Sequence, residues 1–178
     1  MDANEILDFN LEEDQLIEVE SVKTSKFILL YITSLGLYGI WWMYKVWKFY
    51  KEEERLDITP AARALFAIFF MWDLFTRILR IAKSYGYSKN YSSGFLFVLI
   101  LVLNLTGQLP EPFWMISLFA FIGFLPPLEA FNYQIEAGDN YKLVLKNSLN
   151  TRQTVLVILG SLFWGLIFLG LLAIYAGY

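Results

Sequence analysis

The chain has 178 residues, of which 57% are hydrophobic, 19% aromatic and 17% charged, with a mean hydropathy of +0.49. A water-soluble domain carries about 25% charged and about 45 to 50% apolar residues, so the apolar excess points to one small all-α protein embedded in lipid. Cysteine and histidine are both absent, which excludes disulfides, thiolate nucleophiles, most zinc sites and every His-based triad or proton shuttle. The expectation is a protein that is not an enzyme, with no catalytic residue, metal or cofactor.

The formal net charge of −3 conceals a division along the chain. Residues 1–24 hold eight Asp and Glu against Lys23 alone, net −7, whereas residues 25–178 hold 13 Lys and Arg against 9 Asp and Glu, net +4. An acidic start has no basic n-region, so no cleaved signal peptide is expected. The tail reads as a solvated terminus or as an acidic segment that docks on a basic partner. Within it, the alternation from Leu16 to Val22 hints at a short strand.

Residues 25–178 read as a multi-pass helical domain. A helix that crosses the hydrocarbon needs about 20 mostly apolar residues, and five segments approach this. The first, 27–47, is uncharged until Lys45 and ends in Trp41-Trp42-Met43-Tyr44, an aromatic belt of the sort found at headgroup level. Its centre, Thr33 to Gly39, is rich in small residues and invites a kink or a close neighbour.

The second segment, 60–83, opens with Thr59-Pro60, an N-cap followed by proline at the first helical position. Arg63, Phe66, Phe70, Asp73, Arg77, Arg80 and Ser84 follow at steps of three or four, so its C-terminal half carries a polar stripe. Central Asp73 costs about 2.5 to 3.5 kcal/mol on insertion, and the arginines add to it, which nearly cancels the apolar residues. An interfacial or tilted amphipathic helix is expected here.

Segment three, 95–109, follows the cap-like Ser92-Ser93-Gly94, and a tight turn through Pro110-Glu111-Pro112 leads into segment four, 113–137. Pro126-Pro127 predict a kink inside that helix. Segment five, 154–178, has no charge and is the strongest span. The sequence therefore predicts about four transmembrane helices plus one amphipathic helix.

Basic residues collect in the stretches after segments one and two and in residues 138–153, while the turn 107–112 has none. Basic loops mark the cytoplasmic side, and four spans with both termini outside satisfy that rule. A cytoplasmic N-terminus with five spans, or with a re-entrant first segment, is the alternative.

Three groups of side chains are candidates for function. Arg63, Asp73, Arg77 and Arg80 form a polar or lipid-headgroup site on segment two, in which Asp73 and Arg77 are spaced to pair. The plainer reading is that they pair or snorkel and hold the helix in place. Trp41, Trp42, Lys45, Trp47, Lys48 and Lys51 form a basic aromatic helix end suited to anionic lipid. Nucleic acid is not expected there, because Glu52-Glu53-Glu54 dilute the field. Ser161, Gly165, Leu169, Ala173 and Gly177 form a row that permits close helix packing, within the bundle or across a homo-oligomer. Glu129, Asn132, Tyr133 and Glu136 share a face of segment four, best explained as a solvated helix end.

Lys26-Phe27, the run Thr33 to Lys45, Ile58-Thr59-Pro60 with Arg63 to Ala67, Leu109 to Trp114, and Asn132 after the prolyl pair resemble together an uncharacterised family of small bacterial inner-membrane proteins. The resemblance covers most of residues 26–170 and leaves the acidic tail outside. It implies a bacterial inner-membrane setting and carries over no catalytic residue. The expected function is a non-catalytic subunit or scaffold whose partners are the lipid bilayer and a membrane protein or second copy. The alternative is a small transporter or lipid-handling protein that uses the charged face of 60–83.

Overall fold

The computed structural model describes residues 17–145 and 148–175. Strand β1 (Ile17–Ser21) realises the predicted alternation and pairs in parallel with β2 (Tyr141–Leu145), Ile17 opposite Tyr141 and Ser21 opposite Leu145. Between these two strands the chain forms a bundle of short, mostly helical hairpins, and a last long helix follows them.

The first apolar segment is two helices, α1 (Thr24–Thr33) and α2 (Leu37–Glu53), rather than one span. The chain reverses at Leu35 and Gly36, both left-handed at φ 53 and 88°, a conformation that glycine adopts freely. Ser34 stabilises the turn: its hydroxyl accepts a hydrogen bond from the Tyr38 amide at 2.9 Å. At Gly39 a Cβ would lie 3.0 Å from the Tyr31 ring, so the missing side chain lets the two helices close. Phe27 then packs edge-on against Tyr38 and Trp42 in a core that also buries Leu30, Met43 and Val46.

The second segment is also divided, into α3 (Pro60–Leu65) and α4 (Ala67–Ser84), with the break at Phe66. The expected amphipathicity is present on α4, where Met71, Leu74, Phe75, Ile78 and Ala82 are buried at helical spacing. The outer surface of this hairpin is also apolar, with Leu65, Phe66, Phe69 and Trp72 exposed.

Helix α5 (Ser93–Leu105) begins where predicted, and the Ser92 hydroxyl accepts from the Phe95 amide at 3.3 Å. A short 3₁₀ turn, Thr106–Gln108, and the loop after it lead into a second 3₁₀ segment, Phe113–Phe124, which packs back along α5. A Cβ on Gly123 would meet Ile100 at 2.4 Å, so that packing needs glycine. The predicted break at Pro126-Pro127 falls where the 3₁₀ segment passes into α6 (Leu125–Ala137), with both prolines in the first turn of that helix.

Helix α7 (Thr151–Tyr175) runs beside α1 in the same direction. Lys26 Nζ donates to the Ser148 carbonyl at 2.8 Å at one end of the contact, and Gly160 approaches Thr33 at the other.

Two stretches are long and apolar enough to cross a membrane, Phe113–Ala137 and Thr151–Ala173. The four crossings expected from the sequence are not supported, because α1 and α5 have only 10 and 13 residues, about 15 and 20 Å at the helical rise. Nor do the basic loops face away from the N-terminal strand. β1 is bonded to β2, which lies in the basic stretch 138–153, so residue 17 shares an end of the molecule with Lys142 and Arg152. The physical reason is the reversal at Leu35 and Gly36, which returns the chain to the end it started from.

Candidate functional site

The charged side chains of α3 and α4 meet α2 in one polar seam. Arg63 on α3 bonds Asp73 on α4 at 3.2 Å, with its guanidinium 4.5 Å from the Trp47 ring centre and 5.0 Å from that of Phe70. One turn along from Asp73, Arg77 bonds Glu54 of α2 at 2.6 Å and lies 6.0 Å from the centre of the Tyr50 ring. The predicted Asp73–Arg77 pair is therefore replaced by two pairs that join different helices. The break at Phe66 causes this, since it folds α3 back and brings Arg63 to Asp73. Arg80 is exposed, forms no ion pair among the described residues, and lines a groove of about 300 Å³ with Glu53, Glu54, Tyr85 and Gln134.

Beneath the seam, the Tyr50 hydroxyl donates to Gln134 Oε1 of α6 at 2.9 Å, fully buried. Burial holds the Tyr50 hydroxyl in its neutral form well above the ordinary tyrosine range. At the same end Lys89 bonds Glu129, and that carboxylate raises the ammonium above its usual value.

Asn132 fastens the sheet to the bundle. Its amide donates to the Val22 carbonyl at 3.2 Å, and its side-chain oxygen accepts from the Ser21 hydroxyl. The solvated helix end expected for this face thus holds for Glu136, which is exposed, and not for Asn132.

The basic aromatic group divides. Trp41 is half exposed, and its ring centre lies 5.2 Å from that of Tyr44. Trp42 and Trp47 are core residues, 3% and 0% exposed, and cannot reach headgroups. Lys51 is exposed, and Lys48 pairs with Glu52 at 3.6 Å. Lys45 donates to the Glu20 carbonyl at 3.1 Å, which ties α2 to β1. Between those two elements lies a cleft of about 370 Å³ with Phe49 and Tyr141 in its walls, rimmed by Glu18, Glu20, Glu52, Glu53, Lys45 and Lys48. Its mixed charge projects no single-sign field.

The small-residue row of the last helix faces outward. Ser161 and Ala173 are exposed, and Gly165 has nothing within 4 Å of a would-be Cβ, while Gly177 lies outside the described residues. The glycine that packs is Gly160, where a Cβ would stand 2.3 Å from the Thr33 carbonyl oxygen. Among the described residues no three acidic side chains gather as a metal-ligand set.

Sequence reasoning missed Glu54, Gln134 and Lys89 as partners. Only Glu54 left a signal, an acidic residue on a helix end opposite an arginine stripe. Comparison with protein-family models, curated proteins and solved structures finds no match.

Proposed function

We propose that the chain is a membrane-embedded, non-catalytic scaffold or subunit, and that its basic end faces the cytoplasm of a bacterium. The observation that carries this reading is the fate of the ionisable groups on α3 and α4. Arg63 bonds Asp73 and Arg77 bonds Glu54 across helices, and the two guanidiniums lie over Trp47, Phe70 and Tyr50. Charges so arranged hold helices together and leave little capacity for a passenger. The membrane setting draws support from the two long apolar stretches and from the exposed Leu65, Phe66, Phe69 and Trp72, which only lipid or a partner would cover. The bacterial inner membrane is proposed on the sequence resemblance of most of residues 26–170 alone.

A scaffold needs a partner, and the outward row Ser161, Gly165 and Ala173 is shaped to receive a helix. The test is purification of the tagged chain in a mild detergent, with mass spectrometry of proteins and lipids retained. A membrane protein at fixed stoichiometry, lost in the Gly165→Leu variant, is expected. One enriched lipid class and no protein would favour the second reading, lipid handling. That reading keeps one observation, the exposed Arg80 beside its groove.

A further inference from the structure

Three contacts place the hairpin tips near the middle of α7. Trp164 Nε1 donates to the Ile32 carbonyl at 3.1 Å, one turn from the reversal at Gly36. The Trp164 ring also stacks on Trp114 at 6.0 Å and 15°, at the foot of the second hairpin. Leu35, Gly107, Trp114 and Ser117 line one cavity of about 200 Å³, so both tips share a level. Beyond it α7 continues for eleven residues to Tyr175, and nothing lies within 4 Å of a Cβ on Gly165 or Gly170.

The lengths then decide where the tips sit, given the membrane reading above, on which this inference rests. Trp164 is twelve residues past Arg152, the last charge on the helix, or about 18 Å down its axis. The hydrocarbon core is about 30 Å thick, which leaves about 12 Å between the tips and the far face. Yet the tip loop carries polar groups: Gln108 and Glu111 are exposed there, between the exposed Leu109 and Phe113. A carboxylate and an amide are not left in hydrocarbon when water or headgroups can reach them.

We infer that the bundle thins the bilayer, the headgroups of the far leaflet settling inward against the polar tips around Gln108 and Glu111. The outer face of α7 at the same height remains in acyl chains, since Leu162, Leu166 and Leu169 are exposed there. Hydrophobic mismatch of this kind is tolerated by deforming the lipid rather than the protein.

The absence of cysteine makes the test direct. Single-cysteine variants Gln108→Cys and Leu166→Cys carry a nitroxide label in phosphatidylcholine vesicles, and accessibility to a water-soluble paramagnetic reagent is compared with that to oxygen. Thinning predicts that the label at 108 reads as aqueous and is several-fold more accessible to the polar reagent than the label at 166, which reads as hydrocarbon. A label at 108 as dry as that at 166 would overturn the inference, as would both reading aqueous, which would place the tips at an ordinary far surface. Failure of the membrane reading itself is distinct: the chain would then wash off the vesicles in alkaline carbonate, whatever the labels report.

Discussion

The Arg63 guanidinium lies 4.5 Å from the centre of the Trp47 indole and 3.2 Å from the Asp73 carboxylate. Trp47 is fully buried and Asp73 half exposed, so the aromatic contact is the better shielded of the two. A desolvated cation–π contact is worth about 2 kcal/mol, whereas an exposed ion pair contributes about 0 to 1 kcal/mol. Arg63→Ala is expected to lower unfolding free energy by about 2 kcal/mol and Asp73→Asn by less than about 1 kcal/mol. Thermal unfolding in nanodiscs measures both. Equal losses would show that the carboxylate, not the indole, holds Arg63.

Gly160 lets α7 pack against the α1 backbone at Thr33. Gly160→Ala puts a methyl group 2.3 Å from the Thr33 carbonyl oxygen, and backbone on both sides leaves it little room to give. Overpacking of this kind costs about 1 to 3 kcal/mol. Gly170→Ala, in open space, should cost nothing. A crosslink between cysteines introduced at Thr33 and Ser161 reads the docking, and it should fall sharply in Gly160→Ala alone.

Alkali should unfold the chain through its buried tyrosines. The Tyr50 hydroxyl is held neutral by burial, above its unfolded value of about 10. A raised acid contributes stability that is complete below pH about 10 and is lost as pH rises above it, because only the unfolded chain releases the proton there. Tyr50→Phe is expected to flatten the decline of melting temperature above pH about 10. At neutral pH the same variant should cost about 1 to 3 kcal/mol, because Gln134 Oε1 loses its donor.

Asn132 is the clasp between bundle and sheet, so Asn132→Ala should release β1 without melting the helices. The side chain bonds Ser21 of β1 and Val22 just after it, and limited proteolysis near residues 17–22 is the readout. Faster cleavage with an unchanged helical circular dichroism signal is expected.

Elements that rest on neighbouring residues were legible in the sequence. Ser92 caps α5, and Thr59 and Pro60 stand at the start of α3 although the Thr59 side chain makes no capping bond, because helix starts depend on only a few consecutive residues. The alternation of Ile17 to Glu20 likewise betrayed β1. Its mate β2 was not legible, since a parallel partner 124 positions away, as from Ile17 to Tyr141, leaves no local mark. The reversal at Leu35 and Gly36 was hidden because apolar residues continue on both sides, and hydropathy does not report φ. At the candidate site the polar stripe was visible, but the choice of partner was not. Spacing brings Asp73 and Arg77 together only on an isolated helix, whereas Arg63 and Glu54 reach them from other elements.

The most direct test of a structural rather than transporting role for these charges is a double-mutant cycle on Arg77 and Glu54, read by thermal unfolding in nanodiscs together with the lipid composition of the host membrane. The pair is partly buried, with side chains 18% and 32% exposed. Arg77→Gln and Glu54→Gln should each destabilise the protein, and the double variant should be more stable than the two losses summed, by a coupling of about 1 kcal/mol, with membrane lipids unchanged. Single variants that keep full stability while lipid composition shifts would contradict the account.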